Sequence, residues 1–328
     1  MTPDRQPPAR NAGPMTEHLR QLTARARAAA GAAIRPWLPR RLRGDLAVVP
    51  VVRLNGVIGL SSPLRPGLTI AAVARTLERA FAVRRARAVA LVINSPGGAA
   101  VQSHLIHRRI RQLAGEKNLP VIAFVEDVAA SGGYMLACAA DEIVCDPASI
   151  VGSIGVIGTS FGFTEAMRKL GIERRVYTAG VHKSTLDPFL PEDPEDVARL
   201  KALQLDVHRL FIGLVRERRG ERLKGDDDRL FTGEYWVAGT ALELGLVDRL
   251  GDIRSTLRER FGTDVVMPQV APERSLFGRR SQGVAADALA AHGLASQGLA
   301  IAPEALAGVA DDVLATLEAR ALWARFGL

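Results

Sequence analysis

One stretch limits this chain more than any other. The apolar run Val121-Ile122-Ala123-Phe124-Val125 is followed, after two acidic residues, by Val128-Ala129-Ala130-Ser131-Gly132-Gly133-Tyr134-Met135-Leu136-Ala137. A β-rich run, a turn of small residues and an apolar helical pattern put Ser131 where a strand ends and a helix begins. Serine is an ordinary helix N-cap at such a place. It is also a nucleophile position, because the unbonded N–H groups of a first helical turn point toward negative charge that develops beside the hydroxyl. Glycines 132 and 133 let a substrate backbone come close. The decapeptide alone leaves both readings open.

The surrounding pattern predicts the fold class. Leu46 to Leu54 reads as a strand, Leu68 to Phe81 as a helix, and Arg87 to Ile93 as a buried strand running into Asn94-Ser95-Pro96-Gly97-Gly98. A helix over 101–113 and a strand over 120–125 follow, then a helix over 132–140 and a strand over 142–145. This alternation predicts an α/β fold with largely parallel pairing and right-handed crossovers. Ile150 to Gly158 carries glycine at every third position, which implies close backbone packing or a curved crossing. Further on, the spacing predicts a short helix over Thr164–Leu170, a strand over Arg174–Thr178, and a loop around Lys183. A long helix is expected over Pro194–Arg219, with helices over 237–244 and 252–261 after it. A closing helix is expected from about Pro303 to Trp323, with proline in its first turn.

At 328 residues, 48% hydrophobic and 24% charged, the chain can bury a full core. Its charge of +8 is unevenly placed: residues 1–45 hold nine Arg against Asp4, Glu17 and Asp45, a balance of +6 that leaves +2 for the rest. Four parts are therefore expected: a basic Arg-rich arm over 1–45, a main α/β domain over 46–262, a linker over 263–302 and a C-terminal helix over 303–328. The arm is patterned as a basic amphipathic segment that suits an anionic membrane surface, and a solvated tail fits it as well. Nucleic acid is not expected as a partner, since Trp37 is its one stacking ring. No run of about 18 apolar residues predicts a spanning helix, and Arg interrupts each candidate signal block. A cytoplasmic location follows, with the arm available to the inner membrane face. The two cysteines, Cys138 and Cys145, have no His at ligand spacing and read as buried thiols rather than a disulfide or zinc site.

Two features bear on Ser131. In an open α/β sheet the carboxyl ends of adjacent strands face one crevice, so an N–H from Gly98 and one from Gly132 can converge on a carbonyl oxygen. Pro96-Gly97-Gly98 taken alone is equally a plain turn. The second feature is the base that a serine nucleophile requires. No His lies between His107 and His182, and only five of the 43 basic residues are Lys. Arg cannot release its proton, whereas a desolvated ammonium can. Lys183 alone among the five sits in a Gly-containing loop with few charges beside it, and His182 competes with it. A lysine amine must be brought from about 10.4 down toward neutrality to serve, at a cost of about 3–4 kcal/mol that apolar walls can supply.

Five motifs in order, Asn94-Ser95-Pro96-Gly97-Gly98, Ala130-Ser131-Gly132-Gly133-Tyr134, Val151-Gly152-Ser153-Ile154-Gly155-Val156, Lys183 before Leu186-Asp187-Pro188-Phe189, and Phe231-Thr232-Gly233 with Gly245-Leu246-Val247-Asp248, resemble the signal peptide peptidase A (SppA/SohB) family of Ser-Lys serine peptidases. The resemblance covers about residues 46–262. It implies a crotonase/ClpP-like superfamily fold, Ser131 as nucleophile, Lys183 as general base, oxyanion N–H groups from Gly98 and Gly132, and Ser153 orienting the lysine amine. It also implies peptide substrates such as signal-peptide remnants, no cofactor or metal, and a homo-oligomer in which Ser and Lys of one site can come from neighbouring subunits. His182 stands where family members often carry Tyr. Two other classes carry a similar oxyanion arrangement or assembly: a crotonase-type acyl-CoA enzyme and an inactive oligomeric scaffold.

Overall fold

The computed structural model describes residues 46–60, 67–272 and 303–328; the expected arm over 1–45 and most of the expected linker lie outside them. Five strands lie side by side in the order β1 (Val51–Asn55), β2 (Val89–Ser95), β3 (Val121–Ala130), β4 (Glu142–Cys145) and β7 (Arg249–Leu250), all parallel. Val89 to Ile93 of β2 is buried throughout, as expected of a strand covered on both faces. Helices α1 (Ile70–Phe81) and α2 (Ala100–Lys117) pack on each other, and α3 (Gly132–Ala137) packs on β2, β3 and α2. The alternation thus resolves into an α/β fold with a parallel sheet.

The pairing changes within β3. Residues 121–125 pair with β2 and residues 122–125 with β4; after a register shift at Glu126-Asp127, Ala129 still pairs with Ser95 of β2, while Val128 to Ala130 take β5 (Ile150–Gly152) in place of β4. Ser149 fixes the bend by donating its hydroxyl to the carbonyls of Val125 and Glu126. β5 in turn pairs antiparallel with β6 (Tyr235–Val237). Along one edge β3 therefore exchanges β4 for the β5–β6 pair, and Ser131 follows its last residue.

Local chemistry sets several boundaries. α4 (Thr164–Leu170) ends at Gly171 in the left-handed region. α5 (Pro194–Arg219) opens with proline in its first turn and with the Asp193 carboxylate accepting from the Glu195 N–H. A 3-10 turn (Gly220–Arg222) and the short α6 (Asp227–Leu230) fill the expected polar break, and α7 (Ala238–Glu243) follows β6 directly. Asp252 caps α8 (Ile253–Phe261) through the N–H groups of Arg254 and Ser255.

Two expectations are corrected. Arg174 to Thr178 forms no strand: it is exposed and pairs with no strand among the described residues, and Arg174 instead pairs with Asp187 and stacks over Phe189. The sheet also continues past the expected boundary at 262, since the Val266 and Pro268 carbonyls accept from Val49 and Val51 and the Val270 N–H donates to Val51. The last helix, α9, spans Pro303–Ala324.

The C-terminal end of α5 is pinned by a buried ion pair. The Arg219 side chain, 2% exposed, donates to the Asp248 carboxylate at 2.8 and 2.9 Å and to the Gly245 carbonyl at 2.8 and 2.9 Å. Asp248 also accepts from the Ile143 N–H at 2.7 Å, and the Tyr134 hydroxyl donates to Leu246 at 2.7 Å. Burial pushes the Asp248 carboxyl upward, but the Arg219 guanidinium outweighs it and holds the group below the usual carboxylate range. Asp248→Ala should cost about 3–5 kcal/mol in urea unfolding, because it strands a buried charge, while replacing both partners with apolar residues should cost less.

His107 on α2 is buried, and neither ring nitrogen has a hydrogen-bond partner among the described residues. Burial, then the neighbouring Arg218, His104 and Arg111 charges, bring it down to about 4, an effect the Cys138 carbonyl offsets only in part. The folded chain therefore holds the ring neutral while the unfolded chain takes a proton near 6.5. The stability due to this group is complete above about pH 6.5 and is lost as pH falls toward 4, by about 3 kcal/mol. Unfolding measured between pH 7 and 4 should show His107→Leu losing about that much less stability than the parent chain.

Candidate active site

Ser131 adopts φ 52° and ψ −121°, a conformation an L-residue occupies only under constraint, at about 1–3 kcal/mol. Two backbone bonds impose it. The Ser131 N–H donates to the Gly152 carbonyl at 2.8 Å, and the Ser131 carbonyl accepts from Met135 at 3.0 Å. The result is a sharp strand-to-helix turn that leaves the serine partly exposed while Gly132 and Gly133 behind it are buried. The hydroxyl forms no hydrogen bond to another described residue.

The Pro96-Gly97-Gly98 turn lies directly against this turn. A methyl group on Gly97 would stand 2.8 Å from the Ser131 Cβ and 2.9 Å from the Gly132 nitrogen. Gly98 is bridged to Ile58 by bonds its neighbours make: Ile58 donates to Gly97 at 2.8 Å, and Ala99 donates to Ile58 at 2.9 Å. In that pattern the N–H of Gly98 itself points away from Ile58. Neither the Gly98 nor the Gly132 N–H has an acceptor among the described residues. Two unbonded N–H groups thus stand on the two turns that meet at Ser131, and a tetrahedral oxyanion takes two such donors.

Ser153 sits one residue beyond the Gly152 carbonyl that holds Ser131. It is buried, at φ 54°, with its N–H donated to Glu234 at 2.6 Å. Four of the five expected residues, Ser131, Gly98, Gly132 and Ser153, are therefore brought together by adjoining backbone segments.

Lys183 is not among them. It lies in the exposed turn over 181–186, its N–H donated to Gly180, with no hydrogen bond to Ser131 within the chain. His182, the competing base, is exposed in the same turn. Residues 156–193 are almost wholly exposed and include Phe161 at 79%, Tyr177 at 90% and Val181 at 93%. A groove of about 1100 Å³ runs between this excursion and the first turns of α5, and Ser131 does not line it. Among the described residues no cluster of His, Cys, Asp or Glu is arranged to hold a metal ion.

Two supporting residues escaped the sequence reading. Ser95, fully buried, donates its hydroxyl to the Gly56 carbonyl at 2.7 Å and accepts from the Gly97 N–H at 3.3 Å, tying the glycine turn to β1's end. Ser103, also fully buried, donates to Ala99 at 3.0 Å and packs on Gly132. A serine closing β2 after the apolar run Val89 to Ile93 was the signal for the first. The second carries no local signal.

Comparison with known proteins adds a lineage. Residues 114–261 match the model of Peptidase family S49. The chain is 52% identical over 293 residues, 89% of its length, to a Brucella abortus protein named Na(+)/H(+) antiporter NhaA, of which it covers 38%. It is 36% identical over 164 residues, 50% of its length, to the "probable protease SohB" of Buchnera aphidicola, of which it covers 47%. The chain thus spans half or less of each of these relatives. A solved structure of the 1510-N membrane-bound stomatin-specific protease aligns over 70% of this chain and 99% of its own, at 18% identity and a TM-score of 0.43.

The packing around Gly132 yields a test. A methyl group there would meet the Ser103 Oγ at 2.2 Å, so the turn must shift to admit it. Gly132→Ala should slow labelling of Ser131 by a fluorophosphonate by about 100-fold, the scale of a misplacement of about 1 Å. Adding Ser103→Ala to the same chain should return part of that loss.

Proposed function

Since this chain carries a peptidase family S49 domain of the SppA/SohB kind, we propose that it hydrolyses peptide bonds through an acyl-enzyme on Ser131. The observation that supports this reading is that the Pro96-Gly97-Gly98 turn packs against a strained Ser131 turn and that the Gly98 and Gly132 N–H groups on these two turns have no acceptor among the described residues. A carbonyl placed between those donors presents its carbon to the Ser131 hydroxyl, and the charge that develops on its oxygen meets two fixed dipoles. Lys183 takes the serine proton, returns it to the leaving amine, and then activates the water that frees the acyl group. Ser153 orients the lysine amine. No metal or organic cofactor enters this scheme.

Within one chain Lys183 stands in solvent, so the dyad in this reading is completed between copies. What supports it is the excursion over 156–193, which leaves large apolar side chains such as Phe161, Tyr177 and Val181 exposed, as an interaction surface does. Packed against a neighbouring copy, that surface would wall in the lysine and carry it toward the neighbour's Ser131. The substrates in this reading are unstructured peptides, signal-peptide remnants among them, because an open strand-end site accepts extended chains.

We attribute the antiporter name to the part of the Brucella chain that lies outside the match. No helix among the described residues is long and apolar enough to cross a membrane. The reading places the chain in the cytoplasm, with the +6 charge of residues 1–45 as its contact with the inner membrane face.

Subunit mixing tests the scheme. Ser131→Ala and Lys183→Ala chains should each lose about 10⁴-fold in peptide hydrolysis. Unfolded together and refolded as mixed oligomers, they should regain a substantial fraction, since some interfaces then pair an intact serine with an intact lysine. No regain would place the dyad within one chain, and full activity of Lys183→Ala would remove the lysine from the mechanism.

A further inference from the structure

The strand that leads to Ser131 has an outer face, and the C-terminus of the chain covers it. Beyond the bend in β3, Ala129 joins the main core with Val151, while Val128 and Ala130 face the other way. Both are nonetheless fully buried. Their cover is Phe326, itself 7% exposed, with Trp323 and Ile150 packed at its margin. The Tyr235 hydroxyl donates to the Arg325 carbonyl at 3.0 Å, and its ring meets Phe326 edge-on at 4.9 Å. The Phe326 and Leu328 N–H groups both donate to the Trp323 carbonyl and close the final turn over this surface.

These contacts fall on the three segments that fix the serine. β3 runs directly into Ser131. β5 supplies the Gly152 carbonyl that holds the Ser131 N–H, with Ser153 next in sequence. β6 begins beside Glu234, whose carbonyl accepts from Ser153. By contrast, Val313, Leu314 and Leu317 earlier in α9 are 53%, 59% and 57% exposed, so among its described side chains the helix is seated by its last turn. The match to the peptidase family ends at residue 261, which leaves this segment outside it.

A strained serine persists only where its surroundings over-determine it. We propose that residues 323–328 are a clamp that presses β5 and β6 onto the end of β3 and so maintains the reactive conformation of Ser131. Trp323 and Phe326 are then positioning residues for the hydrolysis, acting through the backbone rather than on substrate. The inference rests on the reading of Ser131 as the nucleophile.

The test uses the full chain and measures kcat and KM on a fluorogenic peptide, fluorophosphonate labelling of Ser131, and thermal unfolding. Phe326→Ala should lower kcat and the labelling rate together by about tenfold, with KM held within about twofold, since the reacting group rather than the binding surface is displaced. Phe326→Leu, which refills most of the space, should recover at least half of the loss. Tyr235→Phe removes only the hydroxyl that anchors Arg325, and it should lower kcat by about threefold at unchanged KM. Wild-type kcat and labelling in Phe326→Ala, or in Tyr235→Phe should Phe326→Ala not fold, would overturn the clamp. Failure of the underlying reading looks different: the parent chain itself would show no hydrolysis or labelling beyond that of Ser131→Ala.

Discussion

The hydrogen bond from the Ser131 N–H to the Gly152 carbonyl is where a sheet becomes a site. It joins the end of a buried parallel strand to a short side sheet and holds the serine at a positive φ. It also takes the serine's own N–H out of play, leaving the neighbouring Gly98 and Gly132 groups as the free donors. Everything that bends β3 at Glu126-Asp127 serves this join. β4 ends opposite Val125, and beyond the bend Val128 to Ala130 meet β5 on the edge that β4 leaves. The Ser149 hydroxyl, spent on two carbonyls at the bend, is part of the same device.

The site is built unevenly, and the division follows burial. Ser131 directly follows a buried strand end, Gly132 and Ser153 are themselves buried, and the exposed Gly98 is held beside them by the buried Gly97, so close packing backs this half of the site. The lysine stands on an excursion whose aromatic and aliphatic side chains face solvent. A base is only as well placed as the wall behind it, and within one chain that wall is missing. The proposed subunit contact and the proposed clamp address different halves of one need: the first to bring a base, the second to keep the nucleophile ready.

What could be read from the amino acids alone divides along the same line. Helices α4 and α5 are bounded where the spacing and the caps predict, at Thr164–Leu170 and Pro194–Arg219, because both signals are local. The buried strands are equally legible as short apolar runs, and the Ser-Gly-Gly and Pro-Gly-Gly turns are both found at the ends of strands and against each other. Val176 and Tyr177 mimic a strand, yet a strand exists only where it is paired, and this segment pairs with no strand among the described residues. The pairing of Val266 to Val270 with β1 is hidden for the converse reason: an edge was free, and a short extended segment with a proline in it sufficed. Lys183 could be singled out by composition, but its distance from Ser131 depends on contacts far along the chain or beyond it, which no local pattern encodes. The outer cover on Val128 and Ala130 comes from nearly 200 residues away and left no local trace.

Both cysteines of the chain are sealed in the core. Cys138 and Cys145 are 1% and 0% exposed, and burial pushes the Cys138 thiol up to about 12 and raises Cys145 as well. The surface is therefore silent toward thiol reagents without any prior engineering. A single cysteine introduced on the exposed excursion would be the sole handle for a spin label or fluorophore, so that the proposed contact between copies could be sought in solution on an otherwise native chain.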